Sequence, residues 1–368
     1  MGPVLPYNPA MSRYAIVAAF LFLAAIFSWA PTALAMPPDG AHDFDFAFGT
    51  FHTHVRRLPD GSAKWITTDG IVTTRKIWNG KANLEELEIP MPSDYLEGIT
   101  LRLYDPTARE WNLYFADSRT GEVESPEVGR FANGRGVFYS YEMIGSAPTY
   151  VRQTYFDATP TSYKFEQAFS WDAGKTWHPN FVASLNRIDP ATVKVPQPPA
   201  TPLSAQQHGF DWQFGLWNIH MHALLHALTP SSQWEDLKGT VNVMKLWSGR
   251  ANLAEIEVSG PTRHLEILAL RLFQPQTRHW TLAFAGSGGG ALGAPMYGSF
   301  KNGRGVFYDQ ESYNGRTVLD RFVFFDTAPN SARDVEALSE DGGKSWTTIF
   351  DNRHTRTRSV PAIKYVPH

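Results

Sequence analysis

The residues of this chain best suited to chemistry come as two matching sets. Glu86, Glu88, Arg102, Glu142 and Arg152 recur, each the same distance downstream, as Glu255, Glu257, Arg271, Glu311 and Arg321. Glu86 and Glu88 share one side of a strand because side chains alternate with period two, and Leu87 and Ile89 take the other side. If the glutamate side faces the lumen of a barrel, buried carboxylates and guanidiniums must pair, and such pairs either orient a ligand or raise a carboxyl pKa for general acid work. If it faces outward, the same groups pair across strands for only about 0–1 kcal/mol per pair. The candidate catalytic residues on the lumen reading are Glu86, Glu88, Arg102, Glu255, Glu257 and Arg271.

Histidines form a second set. His220-x-His222 presents two imidazoles to one side of a strand, with His226 in the same parity, and His52-x-His54 does the same in the first copy. Paired imidazoles are zinc, copper or haem ligands. Phe51 and Trp217 have the opposite parity, however, so aromatics that fill a core leave the histidines in solvent. A metal site also needs a third ligand that the spacing does not place. No metal or cofactor is therefore expected, and zinc or haem would have to enter through His220 and His222. No Gly-x-Ser-x-Gly elbow supports a nucleophilic serine. The glycine-rich run 286–290 lacks the lysine and the following helix of a phosphate loop, and reads as a flexible loop at a barrel mouth.

The elements that must carry these residues are spelled twice. Asn133-Gly-Arg-Gly-Val-Phe-Tyr139 returns as Asn302-Gly-Arg-Gly-Val-Phe-Tyr308. Asn-Gly supplies the two positive-φ residues of a type I′ hairpin, and the residues after it suit a half-buried strand. Around this hairpin both copies run in the same order. Lys76-Ile-Trp-Asn-Gly80 matches Lys245-Leu-Trp-Ser-Gly249, and Leu101-Arg-Leu-Tyr104 matches Leu270-Arg-Leu-Phe273. Trp111-x-Leu113-x-Phe115 and Trp280-x-Leu282-x-Phe284 each put three large apolar groups on one face. About eight to ten short strands per copy, with no segment long enough for a crossover helix, predict an antiparallel meander that closes into a barrel and so removes its edges. The expected fold is all-β, two tandem antiparallel barrels over 42–188 and 208–358, with a Pro-rich linker over 189–207 and a tail over 359–368.

Residues 1–35 read as a signal peptide: Arg13 is the positive n-region, 15–29 are apolar, and Ala33-Leu34-Ala35 fits a small-x-small cleavage site. The expected location is periplasmic or secreted, with cleavage after Ala35. The chain has no cysteine, which excludes disulfides, thiolate metal sites and cysteine nucleophiles. A net charge of −3 offers no basic stripe for nucleic acid, and no stable membrane insertion is expected once the leader is removed.

Phe-Asp-Phe-x-Phe-Gly-x-Phe51, Thr-His54 with Arg57-Leu58, Lys76-x-Trp78, the run from Gly98 to Pro106, Trp111 and Gly174-Lys-Thr-Trp177 resemble an uncharacterised family of exported bacterial domains with a lipocalin-like (calycin) barrel, here in tandem duplication. Gly215-Leu216-Trp217 also matches the Gly-x-Trp signature of calycins. The second copy departs from the pattern, with no counterpart to Arg57-Leu58 after His220 and Gln274 in place of Asp105. The resemblance implies a barrel enclosing a cavity, and it carries no catalytic residues. Ser170-x-Asp172-x-Gly174-x-Thr176-Trp177 and Ser339-x-Asp341-x-Gly343-x-Ser345-Trp346 resemble the Asp-box of sialidase propellers, which we read as a hairpin staple.

The expected function is binding of a small apolar or amphipathic molecule in one or both barrels. The residues expected to line the site are Trp78, Arg102, Trp111, Phe115 and Arg152, with Trp247, Arg271, Trp280, Phe284 and Arg321. Two alternatives stand beside it: an isomerase, cyclase or hydratase acting on a hydrophobic substrate through the Glu/Arg cluster, and a structural module with filled barrels.

Overall fold

The computed structural model describes residues 39–59, 61–91, 95–192, 203–230 and 232–358. The leader assigned to 1–35, the centre of the linker and the tail at 359–368 lie outside the described residues. Among the described residues no helix is long and apolar enough to cross a membrane.

Two closed antiparallel barrels of ten strands each follow one another. The first comprises β1 (Gly49–Arg57), β2 (Ile66–Ile77), β3 (Ala82–Pro90), β4 (Tyr95–Asp105), β5 (Glu110–Asp117), β6 (Glu127–Ala132), β7 (Arg135–Ile144), β8 (Ala147–Phe156), β9 (Ser162–Ser170) and β10 (His178–Arg187). The second comprises β11 (Gly215–Leu225), β12 (Gln233–Leu246), β13 (Ala251–Ser259), β14 (His264–Gln274), β15 (His279–Gly286), β16 (Met296–Lys301), β17 (Arg304–Tyr313), β18 (Arg316–Ala328), β19 (Ser331–Ser339) and β20 (Thr347–Arg358). Each strand pairs with its sequence neighbour, and β1 with β10 and β11 with β20 complete the closure, so every described strand has a partner on both sides.

The repeated hairpin is the two-residue turn its sequence demands. Asn133 and Gly134 have φ of 51° and 74°, and Asn302 and Gly303 repeat those values. The Asp-box segments are staples: Asp172 accepts from the Thr176 backbone N–H at 2.9 Å, and Trp177 donates to the Gly174 carbonyl at 3.1 Å. Asp341 and Trp346 repeat both bonds. The amides hold the Asp172 carboxyl at about 2, as they hold that of Asp341.

One end of each barrel is plugged by the segment that precedes it. In the first, two 3₁₀ turns (Gly40–His42 and Asp45–Ala47) deliver Phe44 into the lumen, where it meets Trp111 and Phe131 edge-on at 5.0 Å. In the second, the turn Gln207–Gln213 delivers Phe210 against Trp280. Arg187 of β10 and Arg356 of β20 donate to carbonyls of these plugs and lie over Phe51 and Trp217, at 4.5 and 4.1 Å.

The barrels share a core. Leu84, Ile99, Leu101 and Leu103 on the outer face of β3 and β4 pack with Leu253, Leu268, Leu270 and Leu272 on the outer face of β13 and β14. Arg75 donates to the Met244 sulfur, and these two residues occupy equivalent positions, 169 apart in the chain. A contact between equivalent residues marks a pseudo-two-fold axis, the geometry of an isologous interface. Two glycines obey the same symmetry: a Cβ at Gly121 would sit 2.0 Å from the Phe273 carbonyl oxygen, and one at Gly290 would sit 2.4 Å from the Asp105 Cα. Gly290 also accepts from Asn112 at 2.7 Å. The glycine-rich run 286–290 therefore ends in the interface, where close backbone approach requires glycine; it is not a free loop at a mouth.

Candidate functional site: a cavity in the first barrel

The first barrel holds a cavity of about 280 Å³ that is partly open to solvent. Its apolar wall includes Leu87, Leu96, Phe115, Phe165, Phe181 and Leu185. Its polar wall includes Glu85, Glu124, Glu127, Glu142, Gln153 and Gln167, with Arg57 and Arg119 also facing in. A mostly formed apolar cleft with a few placed polar groups is the usual architecture of a small-molecule site, and this volume is at the small end of the range.

The floor is organised by Arg102, which is fully buried. It donates to Asn83 at 2.9 Å and to the Tyr155 hydroxyl at 3.3 Å, and forms an ion pair with Glu85. Phe44 lies against its other face, 4.7 Å from the guanidinium carbon. Burial disfavours the charge on Arg102, but the Glu85 carboxylate more than offsets this and raises its pKa. Arg102 is thus a strut beneath the cavity that fixes Glu85 and Tyr155, which do line it.

The far wall is acidic and poorly compensated. Burial, with the nearby charges of Glu124 and Glu142, pushes the Glu127 carboxyl up to about 8. Burial, with Glu142 and Asp117, pushes Glu124 up to about 7. Glu127 is 3% exposed, and its Oε2 atom has no hydrogen-bond partner. Arg119, whose charge acts on Glu124, is bonded to Asp117 at 2.6 Å.

The second barrel differs where the first is open. Phe322 stands at the position of Gln153, Met296 at that of Glu127 and Ala254 at that of Glu85. Phe322 packs against Phe284 and Phe324, with ring centroids 5.7 and 4.9 Å apart. Arg271, without a carboxylate where Arg102 has Glu85, donates to Gln213 at 2.6 Å and Asn252 at 3.1 Å, and burial lowers its pKa to about 10. Across the lumen, buried Asp334 accepts from His354 and from Asn352.

The residues expected to line a site are placed as follows. Phe115 lines the cavity, and Glu142 of the duplicated charged set does too. Arg102 and Arg271 are in the lumens, one layer below. Trp111 and Trp280 are buried at the plugs, donating to the carbonyls of Gly40 and Gln206. Phe284 sits in the second core. The remainder stand outside the lumens, which corrects the expectation that Trp78, Arg152, Trp247 and Arg321 line a site and takes the outward alternative for the glutamates. Glu86 and Glu88 are on the outer side of β3, because Glu85 has the inward parity. Glu86 pairs with Arg75, and burial raises it; burial and the charges of Glu86 and Glu97 push Glu88 to about 7. Glu255 is likewise outside the lumen, raised by burial near Arg75, and Glu257 is exposed near His264. Trp78 and Trp247 open the β2–β3 and β12–β13 turns at φ of 47° and pack in the inter-barrel core. Arg152 and Arg321 are outside as well, over Trp177 and Trp346 at 4.4 and 4.2 Å. His220 and His222 point outward, both bonded to Asp236, and His52 and His54 stand likewise by Asp69.

Glu85, Glu124, Glu127, Gln153, Tyr155 and Tyr163 were not among the expected residues. The period-two pattern carried a usable signal for two of them: once Phe44, Trp111 and Phe115 are taken as interior, strand pairing puts Tyr155 and Glu85 inside. No family model and no curated protein sequence matches the chain. Among solved structures, it is similar to an S-type phycobiliprotein lyase of Guillardia theta at 12% identity and TM-score 0.30, over 41% of this chain and 92% of that one. It is also similar to a protein of unknown function from the DUF3598 family of Nostoc punctiforme at 10% identity and TM-score 0.25, over 86% and 98%. At those scores neither protein is taken as a guide to what this one does.

Proposed function

We propose that the first barrel binds one small amphipathic molecule and that the second barrel, packed against it, serves as a scaffold. The observation that supports this is the contrast between equivalent positions: the cavity beside Gln153 and Glu127 in one copy, and Phe322 and Met296 in the other. Aromatic and aliphatic groups on one wall suit an apolar body, and the polar groups opposite suit a single headgroup. The enzymatic alternative named Glu86, Glu88 and Arg102, none of which lines the cavity. The reading extends to a lipocalin-like barrel in the periplasm or outside the cell, with a leader cleaved after Ala35; the plug that Arg187 and Arg356 tie down supports the first part.

The test is native mass spectrometry of the protein purified from its own producing cell, before and after mild organic extraction. One extractable adduct per chain, on a mature chain beginning at Met36, is the expected result. Two adducts per chain, or an adduct that survives on the isolated second barrel, would contradict it.

A further inference from the structure

The acidic wall of the cavity is an expensive arrangement for an apolar ligand. Glu124, Glu127 and Glu142 all line the cavity; the charge of Glu142 disfavours ionisation of both Glu124 and Glu127, and that of Glu124 disfavours ionisation of Glu127. Buried carboxylates are normally paired, as Glu85 is with Arg102 and Glu86 with Arg75. Here the partners inside the chain fall short. Ser140 donates to Glu142 at 3.2 Å, Gln153 reaches Glu127, and Arg119 is engaged with Asp117, which leaves the Glu127 Oε2 atom buried and without a partner. The feature is more than a cluster of acids, because Glu127, whose side chain carries that buried and unpartnered oxygen, is itself part of the wall of a cavity large enough to bring it a donor.

We propose that the ligand of the first barrel is a cationic amphiphile, an alkyl- or arylalkylamine whose ammonium group sits against Glu127, Glu124 and Glu142 while its apolar body runs along Phe115, Leu96 and Phe165. The proposal rests on the binding reading above and specifies its chemistry. An ammonium offers three donors, enough to satisfy the orphan oxygen and to bridge to a second carboxylate. A ligand carboxylate would meet like charge on this wall; among the described residues, the guanidiniums that line the cavity are Arg57 and Arg119, the latter already bonded to Asp117.

Charge gives the proposal a signature in protons. The groups that act on Glu127 are Glu124, Glu142 from β7 and Gln153 from β8, with Tyr155 of β8 within its field; Arg57, Glu85, Arg119 and Tyr163 line the same cavity, and Asp117 at the end of β5 acts on Glu124. With Glu127 near 8 and Glu124 near 7, both are largely protonated below neutrality, and an arriving ammonium displaces a proton. Affinity for an amine therefore rises with pH up to about 8.5 and levels off until the amine itself loses its proton near 10.

The experiment is calorimetric titration of the full chain with octylamine, 1-octanol and octanoate at pH 6.5 and 8.5, in buffers of differing ionisation enthalpy, repeated on Glu127→Gln. The expected result is that octylamine binds about tenfold or more tighter than 1-octanol at pH 8.5, releases protons at pH 6.5, and loses that preference in Glu127→Gln. Thermal denaturation of the variant verifies that it is folded. Should 1-octanol bind as tightly as octylamine, or the preference persist in Glu127→Gln, the cationic assignment falls while the cavity reading stands. Should octanoate bind best, the assignment falls also. If none of the three binds, the cavity reading falls with it.

Discussion

Arg102 and Arg271 are the same residue in two settings, and the difference sets their energetics. Removing Arg102 strands Glu85 as an uncompensated buried charge, which costs about 3–5 kcal/mol. Removing Glu85 leaves an arginine held by neutral partners, an arrangement the second copy already uses at Ala254 and Arg271. We expect Arg102→Met to lower stability in urea unfolding by clearly more than Glu85→Ala does; equal losses would contradict the pairing described. Glu127 gives a second prediction with a definite sign. Its folded pKa, near 8, is raised from 4.5, so the folded state holds a proton that the unfolded state has lost between those values. Its contribution to stability is present at low pH and is lost as pH rises from about 5 to 8. Glu127→Gln is therefore expected to flatten the fall of Tm over this range and to raise Tm at pH 8.5 by about 2–4 °C, roughly 1 kcal/mol for a domain of this size. A Tm that rises with pH in wild type and is lowered at pH 8.5 by the variant would reverse the sign.

At the scale of the strand, much of the fold was legible and the lumen was not. The Asn-Gly turns, the inward face of β5 and the duplication could be read directly because local chemistry dictates each of them. The orientation of β3 and β4 could not. Alternation distinguishes a wet face from a dry one, and both faces of these strands are dry: Leu101 and Leu103 meet the second barrel while Arg102 and Tyr104 face inward. Each face mixes polar and aliphatic residues: Glu85, Leu87, Leu96 and Arg102 face inward, and Leu84, Glu86, Glu88 and Leu101 face outward, so period two alone gives no sign of which face is the lumen. The sequence therefore left both faces open for Glu86 and Glu88, and the structure takes the outward one. The in-strand glycine Gly129 yields an element-scale prediction. Its Cβ would stand 2.0 Å from the Val137 carbonyl oxygen, so Gly129→Ala must open the β6–β7 pair that carries Glu127 and Glu142. Loss of more than about 2 kcal/mol and of amide protection in that hairpin is expected; an unchanged exchange pattern would argue against the register.

For the whole molecule, duplication and division of labour go together. The interface is apolar, pseudo-symmetric and continuous with the outer faces of four strands, so the barrels are expected to unfold together. Leu253→Glu, which puts an unpaired charge in the shared core, is expected to split a single calorimetric transition into two without unfolding either barrel. Two transitions already present in wild type would show that the interface contributes little. With the second lumen occupied by Phe322 and Met296, the proposed reading makes the pair one receptor and one support.

That claim is tested most directly by counting sites. Titration of the full chain with the neutral apolar fluorophore N-phenyl-1-naphthylamine is expected to saturate at one molecule per chain. Gln153→Phe, which gives the first lumen the aromatic residue found in the second, is expected to abolish that signal while the fold is retained. Two molecules per chain, or undiminished binding in Gln153→Phe, would contradict a single site in the first barrel.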